Sequence, residues 1–162
     1  MKLFSIKVAG FSTVSISERP RPHEWLETDL IALRDAGVST LVCCLTPPEV
    51  FELGLGGEAK LASDLGLAFI PIPIPDRQVP DSQLAFLRML EPATDSVRSG
   101  HSVAAHCRAG IGRSTLVVGT LLQQIGVPAE EALAQIQDAR GRPVPDTSEQ
   151  RQWLVSIGNL LK

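Results

Sequence analysis

A cysteine and an arginine bracket five residues in His106-Cys107-Arg108-Ala109-Gly110-Ile111-Gly112-Arg113-Ser114. A thiolate is a strong nucleophile, and a guanidinium six residues on can fold back and hold two oxygens of a tetrahedral oxyanion in bidentate fashion. Gly110 and Gly112 allow positive φ, or a close approach of backbone to an anion with no Cβ in the way. The stretch follows a short apolar strand pattern, Ser102-Val103-Ala104-Ala105. It precedes a helical one from Thr115 to Ile125, apolar at Leu116, Val117, Leu121, Leu122 and Ile125. A helix opening out of a loop presents unpartnered amides and its positive dipole end to whatever the loop encloses. Those amides and Arg113 favour a thiolate at Cys107, since such settings lower a cysteine pKa to roughly 3.5–7.5. The candidate phosphate-binding residues are Arg108, Ala109, Gly110, Ile111, Gly112 and Arg113, and the chemistry is attack on a phosphate held in a cradle. A tight strand–helix turn around a buried thiol would also fit the spacing, but it leaves Arg108 and Arg113 without a role.

An alkoxide is a poor leaving group, so attack on a phosphate ester also needs a general acid able to lie over the cradle. Asp76 ends the run Pro71-Ile72-Pro73-Ile74-Pro75-Asp76. Alternate prolines cannot all sit in a central ladder, so the chain is expected to leave the sheet there as a stiff extended segment. Loops after adjacent parallel strands meet at one sheet edge, which brings Asp76 toward Cys107. Asp81 is the rival, but with Ser82 it immediately precedes a helical pattern and reads as a cap.

The remaining elements build the platform. Phe4 to Val8 and Thr13 to Ile16 alternate around Gly10 as a hairpin. A helix from His23-Glu24 to about Ala36 carries Trp25, Leu26, Leu30 and Leu33 on its apolar face and stops at Gly37. His23 and Trp25 are either core and capping residues or substrate contacts. Thr40-Leu41-Val42-Cys43-Cys44-Leu45 is a continuous apolar run, as in a strand buried on both faces of a parallel sheet. A helical turn at Glu49 to Leu53, a helix from Glu58 to Leu65 and a strand at Leu67 to Ile70 follow. Asp81-Ser82 opens a helix with Leu84, Leu87, Met89 and Leu90; others start at Pro128 and, capped by Asp146 or Thr147, run from Ser148 to Leu161. The expected fold is α/β, a central, mostly parallel sheet of about five strands flanked by helices, with the cradle where a strand ends and a helix begins. Residues 1–162 read as a single domain.

The Cys-x5-Arg stretch, with His106 before and Ser114 after, resembles the signature of the cysteine-dependent protein tyrosine phosphatases. The run Pro73-Ile74-Pro75-Asp76-Arg77-Gln78-Val79-Pro80-Asp81 is similar to the acid loop of the compact dual-specificity type, the kinase-associated kind in particular. That resemblance implies a three-layer phosphatase fold and a two-step reaction. Cys107 attacks phosphorus while Asp76 protonates the leaving group; water then hydrolyses the phosphocysteine with Asp76 as base. It also implies that Ser114 helps the sulfur leave, that His106 orders the loop and helps hold the thiolate, and that Gln150 positions water. Gln150 is otherwise a plain surface helix residue. Thr115 after Ser114 departs from the Ser/Thr-Gly of tyrosine-specific members and fits the smaller dual-specificity ones. A shallow pocket is expected, open to phosphoserine and phosphothreonine as well as phosphotyrosine. Neither metal nor cofactor enters this chemistry.

Composition narrows the alternatives. Hydrophobic residues make up 44% and charged residues 20%, with net charge −3, so no general nucleic-acid or membrane-binding surface is expected. The eleven arginines against four lysines leave Arg140 and Arg142 either as contacts for a second anionic group or as a solvated loop. No stretch approaches the ~18–20 apolar residues of a membrane span, and the N-terminus lacks the apolar run of a signal peptide. Three cysteines without framework spacing suit a reducing, cytoplasmic setting. Cys43 and Cys44 point to opposite faces of their strand, so at most one can face Cys107 and form a protective disulfide with it. The expected partner is a phosphoprotein acted on by a monomer. The competing readings are a phosphoinositide or RNA 5′-phosphate substrate, a phosphate-binding module without turnover, and a sulfurtransferase, in which Asp76 would be idle.

Overall fold

The computed structural model of the chain describes residues 1–161. Its strands are β1 Leu3–Lys7, β2 Thr13–Ser17, β3 Val38–Cys43, β4 Ala68–Pro71 and β5 Ser102–His106, in one sheet of order β1-β2-β5-β3-β4. The β1–β2 hairpin is antiparallel, and the β2–β5, β5–β3 and β3–β4 pairs are parallel. The helices are α1 Glu24–Asp35, α2 Pro47–Glu52, α3 Glu58–Asp64, α4 Gln83–Arg98, α5 Arg113–Gln124, α6 Ala129–Arg140 and α7 Ser148–Ile157, the last followed by a 3-10 turn at Gly158–Leu160.

Two apolar layers enclose the sheet. One gathers Leu26, Leu30 and Leu33 of α1 and Ala62 of α3 against Leu41, Cys43 and Ala104. The other joins Phe86, Leu90, Leu116, Leu121 and Leu154 to Val42, Val103, Ala105 and Cys107. β3 and β5 are therefore apolar on both faces, as a parallel sheet under two helical layers requires. Their side chains alternate between the layers, and that alternation sorts the chemistry of the site.

Several expectations change in three dimensions. After Pro71, the last residue of β4, the chain leaves the strand as the stiff extended segment expected, but it stays hydrogen-bonded to the end of β3. β4 is an edge strand, and Pro71, Pro73 and Pro75 turn outward, where no amide is needed. The intervening Ile72 and Ile74 donate their amides to the carbonyls of Cys43 and Cys44 at 2.9 and 3.1 Å. The segment is a rail along the end of β3 that delivers Asp76. In α4 the buried face is Phe86, Leu90, Ala93 and Val97, while Leu84 and Met89 are exposed. Ser82, not Asp81, is its cap, accepting from the Ala85 amide at 3.2 Å. Trp25 faces solvent with the Arg21 guanidinium 4.5 Å over its ring, and exposed His23 makes no side-chain cap bond. The final α-helix stops at Ile157.

α5 runs through the middle of its layer, buried from Arg113 to Leu122. At its centre, a Cβ on Gly119 would lie 2.5 and 2.9 Å from the two Leu154 methyl carbons of α7. Ala in place of Gly favours a helix by about 1 kcal/mol. Overpacking a core costs about 1–3 kcal/mol, and fully buried Leu154 has little room to yield. Gly119→Ala is therefore expected to lower the unfolding free energy by about 1–2 kcal/mol in denaturant titration, against the helix-propensity trend.

Candidate active site

β5 ends at His106, and the backbone from Cys107 to Gly112 turns into the first residue of α5, Arg113. Cys107, His106, Arg113 and Ser114 are all buried. The two glycines serve different needs. Gly110 has φ +70°, in the left-handed region, whereas a Cβ on Gly112 would sit 2.8 Å from Gln150 Oε1 and 3.0 Å from the Asp146 Cβ. Gly112 caps α5 without any side-chain cap bond, so the helix's first amides remain available to an anion.

The outward carbonyls of this turn are held by arginines. Arg19 donates to Arg108 O at 3.4 Å, and Arg140 donates to Gly110 O at 2.7 Å and Ala109 O at 3.3 Å. Arg140 also lies 4.1 Å over the Phe4 ring. It holds the cradle from outside rather than offering a second anion site, while Arg142 is exposed. Fixing the carbonyls outward turns peptide N–H groups inward.

The sulfur of Cys107 accepts the Gly110 amide at 3.3 Å and lies 3.3 Å from the Ser114 hydroxyl. Burial pushes this thiol up, but the Ser114 hydroxyl, the Ser114 and Gly110 amides and the Arg113 charge outweigh it and hold the group below its ordinary value.

Arg113, only 2% exposed, donates to Glu49 Oε1 at 2.6 Å, Glu49 Oε2 at 3.0 Å and Ile74 O at 2.8 Å. Its Nη2 also lies 3.1 Å from Asp76 Oδ1. Asp76 and Cys107 line one small cavity of about 70 Å³, together with Ala109, Ile111, Gly112 and Gln150. Asp81 is absent from that lining.

Two candidates, His106 and Arg108, direct their side chains away from the cavity, and Gln150 reaches it. His106 points to the opposite face from Cys107. Its Nε2 lies 2.5 Å from Glu58 Oε1, and its Nδ1 is 3.5 Å from the Cys107 carbonyl oxygen, so it anchors the loop's backbone and not the sulfur. Burial pushes the His106 pKa down, but Cys43 and Glu58 as partners raise it to about 10. The Arg108 side chain turns away from the cavity toward Glu49 and Glu52, at 3.6 and 3.4 Å. Gln150 is buried. It closes the capping box of α7, accepting from the Asp146 and Thr147 amides and donating to Gln78 O at 3.0 Å, and it also lines the cavity. Of the two neighbouring cysteines, Cys44 shares the apolar layer of Cys107 and Cys43 lies in the other. All three thiols are free.

Glu49 was not legible as a site residue. Thr46-Pro47-Pro48-Glu49 carries the spacing of a capping box, and the Thr46 amide and hydroxyl do donate to Glu49 Oε1 at 3.1 and 3.0 Å. Nothing in that spacing announces the bidentate grip on an arginine 64 residues away.

Residues 17–127 match the family described as the DSP-PTPase phosphatase of polymorphic toxin systems. The chain is 26% identical over 131 residues to the rat protein named cyclin-dependent kinase inhibitor 3, covering 80% of this chain and 61% of the relative. It thus spans less than two thirds of the curated relatives it matches. Kinase-associated phosphatase superposes with a TM-score of 0.81 at 21% identity, covering 92% of this chain and 87% of the other. PTPMT1 in complex with PI(5)P superposes with 0.75 at 19% identity, covering 91% of each. At those identities the superpositions show the fold, which is the three-layer phosphatase architecture expected from the sequence.

Burial raises the Glu49 carboxyl, but hydrogen bonds from Arg113 and the Thr46 amide and hydroxyl bring it down to about 2 from an ordinary 4.5. A depressed carboxyl stabilises the fold above its unfolded pKa, and that stability disappears as pH falls through the folded one. Unfolding free energy should therefore drop between about pH 4.5 and 2. Denaturant titrations at pH 5 and pH 3 should show a smaller drop in Glu49→Gln than in the parent.

Proposed function

The chain belongs to the DSP-PTPase phosphatase family, and on that premise we propose that it is a metal-independent phosphomonoesterase acting on phosphoproteins through a phosphocysteine. The observation that carries this reading is the meeting of Cys107, Arg113 and Asp76 at one cavity. In the first step the Cys107 sulfur attacks phosphorus, the bond to the leaving oxygen breaks, and Asp76 gives that oxygen its proton. In the second, Asp76 takes a proton from water, whose oxygen attacks phosphorus and releases the thiolate.

Arg113 and the loop amides hold the equatorial oxygens of a loose transition state, in which positioning and electrostatics supply most of the catalysis. Glu49 fixes the guanidinium plane, a positioning role. Ser114, at 3.3 Å, hydrogen-bonds the sulfur and eases its departure. Gln150 has one amide N–H left after its contact with Gln78 and can orient the hydrolytic water. Substrate phosphate takes over the Arg113 face that Asp76 now shares, freeing the carboxyl to reach the leaving oxygen.

The small cavity supports activity on phosphoserine and phosphothreonine besides phosphotyrosine. A thiolate nucleophile supports a reducing, cytoplasmic setting, and no helix among the described residues is long and apolar enough to cross a membrane. A phosphoinositide substrate is the second reading, favoured by the likeness to PTPMT1 bound to PI(5)P. Against it, Arg108, the extra basic residue of the cradle, is directed to Glu49 and Glu52.

The test is turnover with EDTA present. Cys107→Ser should abolish hydrolysis of aryl phosphates. Asp76→Ala should cut kcat on alkyl phosphates by about 10²–10⁴-fold, and Asp81→Ala should leave it unchanged. Turnover retained by Cys107→Ser would sink the phosphocysteine mechanism, and loss on Asp81→Ala alone would reassign the acid. A panel of phosphopeptides, inositol phosphates and RNA 5′-phosphates then ranks the substrate classes.

A further inference from the structure

Behind the sheet from Cys107, a second group of reactive side chains has no part in the proposed hydrolysis. Cys43 and His106 are directly paired residues of β3 and β5, so their side chains lie beside each other on one face. Glu58, the first residue of α3, covers them. All three are buried, at 2%, 0% and 1% exposure. The sulfur, a ring nitrogen and a carboxylate oxygen lie within 4.8 Å of one another.

The pairing of His106 with Glu58 uses one carboxylate oxygen. Glu58 Oε2 is buried with no hydrogen-bond partner, a costly arrangement for an acceptor of this strength. The group also borders a cavity of about 330 Å³, lined by Cys43 and Glu58 and by apolar Leu45, Val50, Leu55 and Phe69. The cavity supplies a path to Cys43 and Glu58 and room for a fourth ligand.

We propose that Cys43, Glu58 and His106 form a binding site for a thiophilic divalent cation, zinc by its donor chemistry. Thiolate, imidazole and carboxylate together are zinc ligands, with bonds of about 2.3, 2.0 and 2.1 Å. Donors around such a centre stand roughly 3.3–3.8 Å apart, so small side-chain rotations from the present separations suffice. His106 is oriented as a metal-binding histidine usually is, with Nε2 toward Glu58 and Nδ1 facing a backbone carbonyl, that of Cys107. Charge also balances. One thiolate and one carboxylate offset the two positive charges of zinc, so the loaded site is neutral, and any proton on the ligating sulfur or nitrogen leaves to solvent on binding. Because His106 adjoins Cys107, an ion there would brace the foot of the phosphate cradle from the opposite face without touching substrate.

The proposal goes beyond the phosphatase reading, and its test reads metal binding in a chain without the nucleophile. Chelator-stripped Cys107→Ser protein is titrated with Co²⁺ as a zinc probe. One equivalent should bind with a thiolate-to-cobalt charge-transfer band that Zn²⁺ abolishes. In this background Cys44→Ala should keep the band, Cys43→Ala should lose it, and Glu58→Gln should weaken affinity at least about tenfold. Absence of the band in folded Cys107→Ser, or its persistence in Cys43→Ala, overturns the assignment. X-ray absorption of zinc-loaded Cys107→Ser needs no change at the site. It should find a single sulfur at about 2.3 Å, and a coordination sphere without sulfur overturns the proposal whether or not Cys43→Ala folds.

Discussion

The guanidinium of Arg113 is the contact on which the site depends. A charge this deeply buried costs several kcal/mol unless its hydrogen bonds are met. Here Glu49 meets it with both carboxylate oxygens, and Ile74 adds a carbonyl. Those partners come from α2 and from the rail after β4, so satisfying one side chain ties two separate segments to the start of α5. Asp76, two residues beyond Ile74, is brought to Arg113 by the same connection. The acid and the anion grip are therefore not placed independently. The backbone that satisfies the arginine also carries the carboxylate.

Strand alternation explains the division of labour at the end of β5. Cys107 turns toward α5, where Ser114 and the Gly110 amide meet its sulfur. His106, one residue earlier, turns to the other layer, where Glu58 meets its Nε2 and Cys43 lies beside it. Adjacent residues of one motif thus work on opposite faces of the sheet. The histidine acts on the loop through the Cys107 carbonyl, not through the thiolate. The same alternation decides which of the two consecutive cysteines is a neighbour of the nucleophile: Cys44 shares its layer and Cys43 does not.

The arginine-rich composition also acquires a local meaning. Arg19 and Arg140 hold carbonyls of the cradle from outside, and Arg108 leans on the two glutamates of α2. Planar, multidentate donors suit this work better than a lysine point charge. Net charge says little about such a site, because each guanidinium is assigned to a particular acceptor.

Much of this was legible in the chain alone, because local rules set it. Apolar periodicity marked the strands and helices, the Cys-x5-Arg spacing at a strand–helix junction marked the cradle, and a proline-stiffened exit marked Asp76. What remained hidden depended on contacts between distant segments. Glu49 read only as the start of a helical turn until the fold set it against Arg113. Arg108 looked like an anion ligand, and Arg140 like either an anion contact or a solvated loop residue, until their acceptors appeared. The prolines after β4 marked an exit, but that the exiting segment stays bonded to the end of β3 depends on sheet order, which no local pattern gives. Residue types and spacings thus determined which chemistry the chain can attempt. Tertiary structure decided which side chains share the cavity, since a side chain's direction and its burial are properties of the packed sheet and not of the residue.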